Sequence, residues 1–340
     1  MSPWTACVSS LTNRIECSLE FGSLFRVITP KTLAPTGLVP ALLFVFSSTS
    51  FDASADWPRW RGPENSGHSA ESIAELPQAP KTIWKQPLGT GFSSPVVADG
   101  QVVILDAVDE REVVRSFNAS NGDELWSADL DAVFGDNQGP PGPRNTPVID
   151  GGRVYAVSCR GELKCLSLAD GKLMWSINYV DDLGAEFVGE KGKVQGASRH
   201  GNDGSPLVDG PHLIAAVGGR DGHSVVCFDK LTGAVVWHSQ SDVAGYGSPA
   251  VAEVAGARQV IAFTAEGTIG LRRDSGELLW RVPMETAYGR HVMTPVVWND
   301  MVVVGAHSIG LTGIKVTRGA EGFNAENAWI NKDAAPNFSH

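Results

Sequence analysis

The sequence predicts an all-β chain, a β-propeller of four-stranded blades, on three observations. A Ser/Thr-Pro strand start recurs at Ser94-Pro95, Thr146-Pro147, Ser205-Pro206, Ser248-Pro249 and Thr294-Pro295. A Gly followed four residues later by Trp recurs at Gly122/Trp126, Gly171/Trp175, Gly233/Trp237 and Gly276/Trp280, with Trp329 a degenerate fifth. Short runs such as Val102–Leu105 and Met301–Val304 are apolar at every position, the pattern of a strand packed on both faces. A unit of this length copied in tandem is a repeat architecture, and sheets stacked around an axis bury both faces.

The first unit predicts strands at about 94–98, 101–106, 112–118 and 123–129. Pro is tolerated at a strand's first residue, where its missing N–H is least damaging. Asp99-Gly100, Asp150-Gly151, Asp209-Gly210 and Arg160-Gly161 are read as hairpin turns. One Trp per sheet at a fixed position fills the wedge against the next sheet, and the Gly leaves room for a neighbouring ring. Trp84, Trp126, Trp175, Trp237, Trp280 and Trp329 are therefore assigned to the core, without a ligand role. Successive Trp are 49, 62, 43 and 49 residues apart, so the units keep their length and the connections after Trp126 and Trp175 carry insertions.

Residues 84–340 thus hold about five blades. Ile83–Leu88 matches a Trp-bearing fourth strand with no first three, an orphan closing strand. At the other end Phe338-Ser339 resembles the Phe92-Ser93 that leads into a Ser-Pro start, so the expectation is a C-terminally truncated propeller. Residues 56–83 are a Pro-rich, irregular lead-in containing Trp57-Pro58-Arg59-Trp60-Arg61-Gly62-Pro63.

Residues 1–55 read differently. Arg26 and Lys31 precede the apolar run Leu38–Phe46, and Ala53-Ser54-Ala55 follows as a small-x-small cleavage site. This is the pattern of a secretory signal with an extended N-terminus, the alternative being an uncleaved anchor. The run is short of a membrane span, so no transmembrane segment is expected after signal removal, and the location is periplasmic or secreted. The charges of residues 1–55 cancel, leaving the net −11 on the rest, which argues against nucleic-acid binding. Cys159, Cys165 and Cys227 are an odd set without CxxC, so buried thiols are expected rather than a disulfide framework or a metal site. A two-residue turn at Arg160-Gly161 would pair Cys159 with Glu162 and Cys165 with Ala156.

The inter-blade connections emerge on one face near the axis. Arg144 lies on one; Lys191, Lys193, Arg199, His200 and Asp203 on a second; Tyr288, Arg290 and His291 on a third. Arg144, Arg199, His200, Arg290 and His291 are the candidate ligand-binding residues, a cationic ring suited to an anion. The alternative is pairing with nearby carboxylates. No catalytic or metal-binding motif is present in the sequence.

The blocks Ser116–Trp126, Cys165–Trp175, Cys227–Trp237 and Gly270–Trp280 resemble the pyrroloquinoline-quinone (PQQ) repeat propellers. Asp229, Thr232, Gly233 and Trp237 match the family pattern well; Asn118 replaces its Asp, and Arg272 departs from it. The resemblance covers about residues 84–330 and speaks to fold more than function. It implies either a cofactor-free propeller like the outer-membrane assembly lipoprotein, or a quinoprotein dehydrogenase. The dehydrogenases resemble longer, eight-bladed chains with an adjacent Cys-Cys pair and a carboxylate-held calcium, and no Cys-Cys occurs here. The expected function is therefore an exported, non-catalytic binding or assembly scaffold with a protein partner in the cell envelope and no cofactor. A PQQ-dependent dehydrogenase, and a hydrolase or lyase using the Arg/His face, are the alternatives.

Overall fold

The computed structural model describes residues 56–72, 78–137, 139–189 and 195–336. The chain divides at Ser50/Phe51, and all that follows concerns the second unit. The leader read over residues 1–55, Lys191 and Lys193, and the terminal Phe338-Ser339 lie outside the described residues.

Five four-stranded antiparallel sheets follow one another in chain order. The first holds β1 (Val96–Ala98), β2 (Gln101–Val108), β3 (Arg111–Asn118) and β4 (Glu124–Ala132). The second holds β5 (Val148–Asp150), β6 (Arg153–Val157), β7 (Glu162–Ser167) and β8 (Leu173–Asn178). The third holds β9 (Leu207–Asp209), β10 (His212–Ala216), β11 (Val225–Asp229) and β12 (Val235–Ser239). The fourth holds β13 (Ala250–Val254), β14 (Ala257–Thr264), β15 (Gly267–Arg272) and β16 (Leu278–Pro283). The fifth holds β17 (Val296–Trp298), β18 (Met301–Ala306), β19 (Gly310–Gly319) and β20 (Gly322–Asn331). Each sheet is an uninterrupted meander, as hairpin-linked strands require.

The core is distributed between sheets. Val103, Leu105 and Trp126 of the first sheet cluster with Val154, Ala156 and Leu166 of the second. Tyr155 and Leu163 of the second meet Leu213 and Phe228 of the third, and Cys227 and Trp237 of the third meet Val260 and Ile269 of the fourth. Phe263 and Trp280 of the fourth meet Val302 and Ile314 of the fifth. A strand buried on both faces is apolar throughout because each face serves a different neighbour.

The Gly/Trp pairs bind consecutive blades. A Cβ on Gly122, Gly171, Gly233 or Gly276 would fall within 3 Å of Trp84, Trp126, Trp175 or Trp237 respectively, the ring of the preceding unit. Each ring also donates its indole N–H to a carbonyl of that turn: Trp84 to Ala119, Trp126 to Leu168, Trp175 to Lys230 and Trp237 to Arg273. Trp84 does this from an extended segment; the closing strand expected there does not form. The fifth blade has Ala325 where the Gly would stand, and Trp280 instead donates to Gln259 of its own blade at 2.7 Å. Trp329 lies over Gly313 of its own blade and is 40% exposed.

Two sequence expectations shift by a residue. Asp99-Gly100 is the two-residue turn of the first blade, but in the second and third the Asp ends the strand and the turns are Gly151-Gly152 and Gly210-Pro211. Between β6 and β7, Val157 pairs with Leu163 and Ser158 N–H reaches the Glu162 carbonyl, so three residues, Cys159–Gly161, make the turn rather than two, and Cys165 lies opposite Tyr155, not Ala156. Cys159, Cys165 and Cys227 are buried, free thiols. Among the described residues no helix is long and apolar enough to cross a membrane.

Candidate functional site

The site lies on the axis. Successive strands alternate direction, so the loops that follow the fourth strands all leave on one face, together with the turn between β6 and β7. The turns Gly151-Gly152 and Gly210-Pro211 lie on the opposite face.

The inner strands are joined around the axis by their Ser/Thr-Pro starts. Ser94 donates its backbone N–H to Thr146 Oγ1 at 3.4 Å, Thr146 donates to Ser205 Oγ at 2.9 Å, and Ser205 donates to Ser248 Oγ at 2.9 Å. The motif read as a strand start is therefore also an inter-blade clasp.

The lead-in crosses the axis. Trp57 exchanges backbone hydrogen bonds with Val97 at 2.8 and 2.9 Å, and Pro58 accepts from Ile149 N–H at 2.8 Å. Arg59 donates to the Val208 carbonyl at 2.6 Å, and Trp60 Nε1 donates to Thr294 Oγ1 at 3.2 Å. Four consecutive residues thus reach four of the five blades. The composition of this stretch marks it as irregular and carries no sign of that role.

Above this crossing is a cavity of about 460 Å³. Trp60, Phe92 and Val292 give it apolar wall; Ser94, Thr146, Ser205, Ser248, Tyr246, Arg144 and Asp203 give it polar wall.

Of the predicted ring, Arg144 and His200 come together on Asp136. Arg144 straddles that carboxylate at 3.0 and 3.1 Å, donates to the His200 carbonyl at 2.9 Å, and packs over Phe134. His200 Nδ1 donates to Asp136 at 2.6 Å. Asp136 has no solvent exposure and the Arg144 side chain 8%, so this is a buried, neutralised framework rather than a pair of open cations. Arg199 and Arg290 stand close enough to Tyr246 to act on its hydroxyl electrostatically, as do Arg144 and Asp203. Arg290 stacks on Tyr288, which is 67% exposed. His291 turns inward: fully buried, it donates from Nε2 to the Met284 carbonyl at 3.0 Å, pairs through Nδ1 with the Thr286 hydroxyl at 3.3 Å, lies edge-on to Phe263, and has its pKa lowered by burial. It belongs to the core, not to the mouth.

Three groups here are not legible from spacing. Asp203 has no hydrogen-bond partner for its buried Oδ1, and burial pushes its carboxyl up to about 7, against the pull of Arg144. The Tyr246 hydroxyl is likewise buried and unpartnered, and burial raises its pKa. Glu112 on β3 accepts from Cys159 N–H at 3.1 Å and is pushed up to about 7 by burial.

The resemblance allows a quinone cofactor, and the adjacent Cys-Cys pair of its dehydrogenases does not occur in this chain. Cys159, Cys165 and Cys227 are single thiols with no adjacent partner, and among the described residues no three His, Cys, Asp or Glu converge as metal ligands.

Comparison with known proteins is consistent with this architecture. The family profile described as outer membrane protein assembly factor BamB matches residues 73–133 and 110–338. The outer membrane protein assembly factor BamB of Salmonella typhimurium is 31% identical over 117 residues, 30% of this chain and 29% of that protein. The chain therefore spans about three tenths of the length of that relative. Among solved structures, BamB from Moraxella catarrhalis aligns with a TM-score of 0.50 at 18% identity, covering 73% of this chain and 64% of that one. A quinohemoprotein alcohol dehydrogenase from Comamonas testosteroni aligns with a TM-score of 0.50 at 14% identity, covering 84% and 52%. At these identities the two structures speak to the fold alone.

Proposed function

Since the chain belongs to the family of the outer membrane protein assembly factor BamB, we propose that it is an exported, non-catalytic propeller that serves as a binding or assembly scaffold in the cell envelope. The observation that carries this reading is the family match, which runs through all five blades. Three features support it. The leader-like pattern of residues 1–55 favours export to the periplasm or beyond. Arg144 and His200 at the mouth are committed to Asp136, which leaves neither of them free to activate a substrate. The loop face also presents Tyr288 stacked with Arg290, residue types that anchor protein interfaces. A protein partner in the envelope would dock on this face.

Fractionation of the native host followed by affinity capture from the envelope tests the reading. The expected result is recovery from the envelope or periplasm together with outer membrane proteins, with capture weakened by Arg290→Ala. Recovery from the cytoplasm, or capture unaffected by Arg290→Ala and Tyr288→Ala together, would contradict it. Arg144→Ala is a poor probe here, because it breaks the framework around Asp136.

A further inference from the structure

The axial cavity has a polar inventory that the protein leaves unused. Thr146, Ser205 and Ser248 each accept a neighbour's N–H, yet none of these hydroxyls, nor that of Ser94, donates its own proton to a described residue. Tyr246 Oη and Asp203 Oδ1 are buried without partners on the same wall. A buried polar atom left unpaired costs about 1–3 kcal/mol, so a cluster of them points to a partner from outside the chain.

The charge pattern selects among partners. Among the described residues that line the cavity Arg144 is the one cation; its Nη1 and Nη2 go to Asp136 and the His200 carbonyl, and its buried Nε is left without a partner. Asp203 adds a carboxyl that would repel an anion when ionised and donates when protonated, and both forms coexist near neutral pH. The wall is thus a row of hydroxyl donors and one carboxyl of both roles, with Arg199 and Arg290 near Tyr246. Beside it stand two aromatic rings: Trp60, fixed by its bond to Thr294, and Phe92, which is 55% exposed at the rim. A guest that offers many hydroxyls on its edge and C–H groups on its face matches both halves.

We propose that the axial cavity binds a neutral saccharide, its hydroxyls on Asp203, Tyr246 and the Ser/Thr row, and its apolar face against Trp60 and Phe92. The volume of about 460 Å³ falls within the range of small-molecule sites and has room for more than one sugar ring. This inference does not depend on the scaffold reading.

The test titrates the purified chain with glucose, maltose and N-acetylglucosamine, and separately with sulfate and acetate, by calorimetry and tryptophan fluorescence. The expected result is saturable 1:1 binding of at least one of the three sugars, with a change in tryptophan emission. Tyr246→Phe and Asp203→Asn should each weaken it about tenfold or more, because a hydroxylated guest is left facing a missing partner. Both variants should keep the wild-type melting temperature or exceed it, since neither removes a hydrogen bond within the chain. Absence of saturable binding by all three sugars, unchanged affinity in both folded variants, or tighter binding of sulfate or acetate than of any sugar would overturn the proposal.

Discussion

At Gly171 two requirements meet. Its φ of +69° is the left-handed region, and a Cβ there would sit 2.6 Å from the Trp126 ring. Gly151 shares the positive φ, +54°, but has open space around it. Gly151→Ala should therefore cost about 1 kcal/mol of backbone strain, while Gly171→Ala should cost roughly 2–4 kcal/mol by adding the displaced ring. Urea unfolding of the two variants measures the difference, and equal losses would refute the wedge. Glu112 and Asp203 make a second prediction at this scale. Both carboxyls are pushed up to about 7, from ordinary values of 4.5 and 3.8, chiefly by burial. The folded chain then holds more protons than the unfolded one across that interval. Stability is accordingly greatest below it, falls as pH rises through about 4 to 7, and levels off above. Melting temperature should be lower at pH 8 than at pH 5, and Glu112→Gln with Asp203→Asn should flatten that slope. The Gly/Trp signature was legible because one steric cause fixes both residues at one spacing. The unpaired atoms of Asp203 and Tyr246 were not, since their state depends on what other blades place around them.

At the scale of elements, the loop carrying Arg144 and the lead-in differ in how much of their role the sequence shows. Arg144 and His200 were legible as neighbours of the inner strands, but Asp136, which neutralises both, is one acidic residue among many in the sequence. Arg144→Ala should destabilise by about 3 kcal/mol, because it leaves the buried Asp136 carboxylate with His200 alone, and Asp136→Asn in the same chain should recover part of that loss. Denaturant midpoints of the single and double variants check it. The lead-in lacks periodicity because its partners are contributed by different blades at no regular spacing. A chain beginning at residue 68 should lose on the order of 3 kcal/mol or more relative to one beginning at residue 56, through the bonds of Trp57, Pro58, Arg59 and Trp60. Equal melting temperatures would show that the crossing contributes nothing. At Trp84, read as an orphan closing strand, the ring's contact with Gly122 forms, while the segment has no strand beside it to ladder with among the described residues.

For the molecule as a whole, the repeat was legible in advance because stacked sheets leave each blade the same two faces to bury. Function was less so, since a propeller specifies a scaffold and the loops above it carry recognition. Under the proposed function a protein partner would engage the loop face, where the exposed Tyr288 stacks with Arg290. The most direct measurement is site-specific photocrosslinking in the native envelope, with a photoreactive residue at position 288 on the loop face or at position 151 in the turn on the opposite face. The account predicts a discrete adduct with an outer membrane assembly protein from position 288 and none from position 151. Adducts of equal yield from both positions, or none from position 288 in chains recovered from the envelope, would contradict it.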